Sequence, residues 1–221
     1  MCRYAIVDLE MCKVPKRARN EKYHFANEII QIGAVLINEN LEVQGEYNTF
    51  VHPEFGSIDK YIRNLTGITD EDLIDAPSLD SALKNFIAWV PDNTKVVSWS
   101  DSDKLQISHE IEAKELSIIG IDNILNNWID CQKTFSEKMH CDKCYNLTEA
   151  LVLTDINYKD GAHNGLVDAY NTALLFIKMQ KEKELVLSKY YQSAISEEVN
   201  HCGFNLGSLL GDINLEGLAS A

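Results

Sequence analysis

The sequence predicts an α/β fold, and three observations carry that reading. Short β-branched runs read as strands, stretches with apolar residues at helical spacing separate them, and acids stand where strands end. At 221 residues and 45% hydrophobic composition, the chain is long enough for one α/β domain with a full core and a modest extension. The opening run meets an acid at Asp8, and no apolar run approaches the roughly 18 residues that a membrane span requires. The expectation is therefore a cytoplasmic protein with no signal peptide and no membrane partner. Six cysteines scattered through such a chain predict reduced thiols instead of a disulfide framework.

The first strand is predicted over Arg3 to Leu9, an apolar run that admits Asp8 and then Glu10. Side chains on a strand alternate faces, so these two acids project from the same one. Paired carboxylates repel unless a cation lies between them, and a hard divalent ion such as Mg²⁺ or Mn²⁺ favours oxygen ligands. The same spacing also fits two exposed acids at a strand end. Lys13 to His24 then carries five basic residues against one acid, Glu21, in a chain of net charge −14. Such a connection could hold a phosphate backbone or simply be a solvated loop.

Glu28 to Ile37 reads as a buried strand, Asn38 to Asn40 as its turn, and Leu41 to Val51 as the returning partner of a hairpin. Pro53 to Gly56 breaks the sheet, and Ile58 to Leu65 predicts a short helix. Ser78 is placed to cap a helix with Leu79, Ala82, Leu83, Phe86, Ile87 and Val90 on one face. Lys95 to Trp99 is the fourth strand, followed by a helix from the Ser100–Asp103 segment to about Leu116. Asn127 to Cys131 is the fifth strand. Helices are predicted over Asn146 to Leu153, Gly165 to about Lys183 and Leu185 to Val199, with a glycine-rich tail beyond His201.

The acids recur where these elements meet. Asp103 opens a helix just after a strand, and Asp168 falls in the first turn of another, where the positive end of the helix dipole favours an anion. His163 and Asp168, five residues apart, would point about 140° from each other on one continuous helix. They converge only if His163 lies on the preceding loop, and Asn164-Gly165 supplies that break. Four carboxylates and one histidine from three segments meet the needs of two-metal phosphoryl chemistry, and an imidazole with an ordinary pKa near 6.5 suits the role of base.

These residues, in this order, resemble a known family. Asp8-x-Glu10, Trp99-Ser-Asp-Ser-Asp103 and His163-x4-Asp168 are similar to the three motifs of the DEDDh 3′–5′ exonucleases. The likeness extends to the branch holding the histone-mRNA and small-RNA trimming exonucleases and the bacterial sporulation-inhibitor-like proteins. Glu28 to Ala34 and Leu65-Thr-Gly-Ile-Thr69 resemble the segments between the motifs, and the match runs from about residue 3 to 180.

The resemblance implies a ribonuclease H-like mixed five-stranded sheet flanked by helices, with an exonuclease domain over 1–183. A C-terminal helix and loosely ordered tail would occupy 184–221. It further implies that Asp8, Glu10, Asp103 and Asp168 hold two Mg²⁺ or Mn²⁺ ions and that His163 orients or deprotonates the attacking water. Leu65 and Thr66 would pack on the 3′-terminal nucleotide, with the backbone at Met11 near its sugar. Products would be nucleoside 5′-monophosphates cut from the 3′ ends of single-stranded RNA or DNA. The acidic composition fits a short grip, because long duplex is usually held by many basic contacts.

Several residues admit competing readings. Asp101 stands two positions before Asp103; spacing favours Asp103 in the site and makes Asp101 a helix cap. His140, Cys141 and Cys144, with His201-Cys202 downstream, could form a zinc site, although incidental cysteines are the simpler reading. Trp89 and Trp128 are predicted in the core, Trp99 in the core or beside the substrate with the core favoured, and His24, His52 and His109 are given no role. The alternative functions are a non-catalytic regulator binding nucleic acid or a partner protein on the same fold, and the proofreading subunit of a polymerase. A tail after Leu185 could dock such a partner, but nothing in its sequence is diagnostic.

Overall fold

The computed structural model describes residues 3–140, 143–159, 161 and 163–189. Its centre is a five-stranded mixed sheet in the order β3-β2-β1-β4-β5. β1 (Arg3–Lys13) pairs antiparallel with β2 (Asn27–Ile37), which pairs antiparallel with β3 (Val43–Phe50). On its other side β1 runs parallel to β4 (Thr94–Ser98), and β4 runs parallel to β5 (Trp128–Asp130). The hairpin is the one the sequence predicts, and the mixed five-stranded sheet is the one the resemblance implies.

Between these strands the chain forms α1 (Lys60–Thr66), α2 (Asp70–Ile74), α3 (Leu79–Trp89), α4 (Ser102–Ala113) and α5 (Ile121–Asn126). After β5 it forms α6 (Cys131–Lys138), α7 (Leu147–Leu153) and α8 (Gly165–Lys181). Ser78 caps α3 by accepting from the Ser81 amide, and Gly67 ends α1 in the left-handed conformation at φ 73°. The short helices α2, α5 and α6 were not predicted, since one or two turns carry too few apolar positions to show a period. α2 nevertheless had a legible start: Thr69 and Asp72 form a reciprocal capping box.

Apolar residues of β1 alternate between two cores. Ile6 packs with residues of α6, α7 and α8 on one face, and Val7 and Leu9 with residues of α3, α4 and α5 on the other. Period-two alternation therefore sends Asp8 and Glu10 to the α8 face. Trp99 packs in the first core; Trp89 and Trp128 are only partly buried against the second. Leu185 to Val199 does not begin as predicted: 185–188 is irregular, and the rest of that stretch, with the tail, lies outside the described residues. No helix among the described residues is long and apolar enough to cross a membrane.

A buried charge cluster ties α4 to β2. Lys114 Nζ lies 2.7 Å from Glu28 Oε1 and 3.0 Å from Glu110 Oε2, and all three side chains are buried. Glu28 also accepts from the amides of Glu54, Phe55 and Gly56, and Glu110 from the Ile29 amide and Gln106. Burial alone would depress the Lys114 pKa, but Glu110 and Glu28 more than offset it and hold the ammonium charged. Lys114→Met would leave two carboxylates buried without their cation, and a loss of about 3–5 kcal/mol is expected in urea unfolding. A loss below about 1 kcal/mol would show that water can reach the cluster.

Candidate active site

The sheet and three helices, α4, α7 and α8, build one open cleft, of about 540 Å³, at the C-terminal end of β1. Asp8, Glu10, Asp103, Asp168 and His163 all line it, together with Leu9, Met11, Trp99, Ser100, Ser102 and Asn146–Thr148. Five side chains that sequence separates by up to 160 positions thus face one space. Each arrives for a local reason.

Asp8 and Glu10 follow from strand alternation. Asp103 follows from a shortfall in pairing: β4 matches β1 only over Arg3–Ile6, so the next part of β1 has no strand on that side. Asp103, in the first turn of α4, stands beside that unpaired edge, where the Leu9 amide works against the rise that burial imposes on its carboxyl. Asp101 is exposed at the N-cap position but makes no side-chain cap bond, so the predicted capping role fails. Its backbone is already helical there (φ −65°, ψ −8°), unlike the extended backbone usual for a side-chain cap.

His163 and Asp168 are organised by the start of α8. Asn164 caps the helix, and His163 precedes it with φ 66°, a left-handed conformation unfavourable for a side chain with a Cβ. Asp168 Oδ2 accepts the His163 amide at 2.7 Å, which fixes that turn. The acid thus has a second task that spacing alone did not reveal. It anchors the backbone of the histidine beside it.

Two residues that the sequence reading missed hold α8 in place. Gln31 is buried in β2, accepts the Gly165 amide at 3.0 Å and donates to Asn48 Oδ1 at 2.9 Å. Gly33 lies where any Cβ would overlap the Gly165 carbonyl carbon and the Leu166 amide. A Cβ on Gly165 would in turn stand 3.1 Å from the Asp8 carbonyl oxygen. Gln31 was detectable as the one polar residue inside Ile29-Ile30-Gln31-Ile32. Nothing local marks Gly33, because its partner is a helix 132 positions away.

The electrostatics are those of a cation site. Burial, and then Asp103, Asp168 and Glu10, raise the Asp8 carboxyl well above its ordinary range. Burial first, then Asp168 and Asp103, lift Glu10 to about 8; burial brings Asp103 to about 7 and also raises Asp168. The tightest grouping is Glu10, His163 and Asp168, whose candidate ligand atoms all lie within 4.8 Å of one another. Asp8 and Asp103 stand outside that grouping in the same cleft. Mutual repulsion among hard oxygen donors, with an imidazole alongside, fits a divalent ion of the Mg²⁺ or Mn²⁺ kind.

Other predicted residues fall elsewhere. Leu65 and Thr66, at the end of α1, are not part of the cleft lining; the Thr66 hydroxyl donates to the Ile62 carbonyl and accepts from the Ile68 amide. Met11 does line the cleft. Trp99 joins both readings, packing near Phe135 while forming part of the wall. Of the suggested zinc set, Cys141, His201 and Cys202 lie outside the described residues.

A ribonuclease H-like sheet with clustered acids at the end of its first strand defines the class: a nuclease-type fold whose cleft has the donor set for a divalent cation. The exonuclease family model of the RNase T type matches residues 5–176, and the chain belongs to that family. Among curated proteins it is similar to ERI1 exoribonuclease 2 of Danio rerio, at 31% identity over 73% of this chain and 33% of the relative. The 3′-5′ exoribonuclease 1 of Rattus norvegicus is 27% identical over 72% of this chain and 48% of its own length. The chain therefore spans a third to a half of these relatives.

Among solved structures, the 3′-exonuclease seen in 3′-end specific recognition of a histone mRNA stem-loop superposes with a TM-score of 0.70 at 21% identity. That match covers 84% of both chains. S. pombe Pop2p in its Mg²⁺- and Mn²⁺-bound form gives a TM-score of 0.59 at 14% identity, covering 81% of this chain and 83% of the other. Both share the fold.

Proposed function

We propose that this chain is a metal-dependent 3′–5′ exonuclease that releases nucleoside 5′-monophosphates from single-stranded RNA or DNA. The observation that carries the reading is the convergence of four carboxylates and one histidine on a single open cleft, where burial and, for Asp8 and Glu10, the neighbouring carboxylates raise the acids' pKa values. Family membership supports it, as do the names of the relatives. Asp8, Glu10, Asp103 and Asp168 would hold two divalent ions. Bound there, the ions would supply charge stabilisation to the attacking and leaving oxygens.

The chain's own residues do the rest. His163 sits exposed at the cleft edge on a turn fixed by Asp168, so its ring can take a proton from the attacking water and pass it to solvent. The backbone beside Met11 would face the terminal sugar. Leu65 and Thr66 would meet the terminal nucleotide only where the substrate extends past the cleft toward α1. A cleft of about 540 Å³ suits one end of a single strand better than a continuous duplex.

The test uses 5′-labelled RNA and DNA single strands with Mn²⁺ or Mg²⁺. The label is expected to shorten one nucleotide at a time from the 3′ end, with 5′-monophosphates as products and complete arrest by a chelator. Internal cuts, 3′-phosphate products or unchanged oligonucleotides would refute the assignment.

A further inference from the structure

Outside the cleft, the described surface carries a short row of rings that the proposed chemistry does not use. Ser102, Leu105 and His109 occupy positions i, i+3 and i+7 of α4 and so share one face of it. Ser102 lines the cleft, Leu105 is 52% exposed, and the His109 ring stacks on Phe25 with centroids 4.4 Å apart and planes at 10°. Exposed His24 lies against Phe25 at 4.2 Å. At about 1.5 Å per residue, His109 stands roughly 10 Å along the helix from Ser102.

The basic connection ends at this row. The Val14 amide donates to the Ala26 carbonyl, closing the loop so that a 3-10 turn at Lys16–Ala18 shares its base with Phe25. Lys22 is paired with Glu115, and Arg19 donates to the Val14 carbonyl. Lys16 and Arg17 are exposed and make no ion pair among the described residues. Beyond His109, exposed Glu112 occupies the next turn and would repel phosphate, which sets the far end of the surface.

We infer that this face of α4, with Phe25 and His24, is a track for single-stranded nucleic acid upstream of the terminal nucleotide. Bases lie against Leu105 and the ring row, and Lys16 and Arg17 meet phosphates. Aromatic faces flanked by free cations are the elements of sequence-tolerant single-strand binding. In a chain of net charge −14, exposed cations without an ion pair among the described residues, such as Lys16 and Arg17, are places where a phosphate backbone is attracted instead of repelled. The track rests on the reading of the cleft as a 3′-end site.

The test compares the full chain with Phe25→Ala/His109→Ala and with Lys16→Glu/Arg17→Glu, on single strands of two and ten nucleotides. Loss of stacking is expected to lower the ratio of kcat/KM on the decamer to that on the dinucleotide by about fivefold or more. The charge-reversal variant, confined to exposed side chains, should flatten the log–log salt dependence of decamer binding by about 1.4, for two phosphate contacts. An unchanged ratio with an unchanged salt slope overturns the track, and so does an equal loss on both lengths. Were neither length cut by any form of the protein, the cleft reading would fail, and anisotropy of labelled decamer would still decide the track. Weaker binding by both variants supports it; binding equal to wild type overturns it.

Discussion

Asp8→Asn is expected to abolish nucleotide release, by at least about a thousandfold or ~4 kcal/mol in transition-state stabilisation, while raising the melting temperature of the metal-free protein at pH 8. The two effects have one cause. Asp8 sits among Asp103, Asp168 and Glu10, all with raised pKa values, so removing its charge relieves repulsion in the empty cluster and removes a ligand from the filled one. The folded-state pKa values, about 8 for Glu10 and about 7 for Asp103, exceed those of the same groups in an unfolded chain, near 4.

Between about pH 4 and 8 the folded protein therefore binds more protons than the unfolded one, and metal-free stability falls as pH rises through that window. Divalent ions should reverse the fall in the wild type and do much less for the variant, because only the wild type presents the full ligand set. Thermal melts at pH 5, 6.5 and 8, with chelator or with Mn²⁺, check this; about 2–4 °C accompanies each kcal/mol in a domain of this size. A wild type that is equally stable at pH 5 and 8 without metal would contradict the electrostatic account. So would a variant that melts lower than wild type in chelator at pH 8.

The parts of this site that sequence reveals are those set by short-range geometry. Asp8 and Glu10 share a face because strands have period two, and Asp103 follows from its place in the opening of a helix. His163 is freed from α8 by Asn164-Gly165, which the backbone at φ 66° bears out. What stays hidden depends on residues far apart in the chain. Asp103 can stand beside the Leu9 amide because β4 pairs with β1 only as far as Ile6. Asn146 to Thr148 reach the cleft wall through the packing of α7, which no motif marks. Asp101 misled in the opposite way: its residue type suits a cap, but the backbone turns helical one residue too early for its side chain to act. Local propensity names candidates, and tertiary contacts select among them.

Gly33→Ala carries that selection to its consequence. The new methyl would overlap the backbone of Gly165 and Leu166, and neither atom belongs to a flexible side chain that could swing aside. α8 must therefore lift from the sheet, stretching the Gln31 bond to the Gly165 amide and carrying His163 and Asp168 away from Asp8 and Glu10. Overpacking of this kind costs about 1–3 kcal/mol in stability, and a displacement of about 1 Å at a catalytic group can cost a hundredfold in rate. The expected result is a folded protein with at least about hundredfold lower kcat and a reduced melting-temperature gain on adding Mn²⁺. Gly45→Ala in β3 provides the contrast, since a Cβ there meets nothing within 4 Å, and its activity should match wild type. Wild-type kcat in Gly33→Ala would mean that α8 can yield without moving its acid. The close contact between helix and strand would then not be what sets the distance between Asp8 and Asp168.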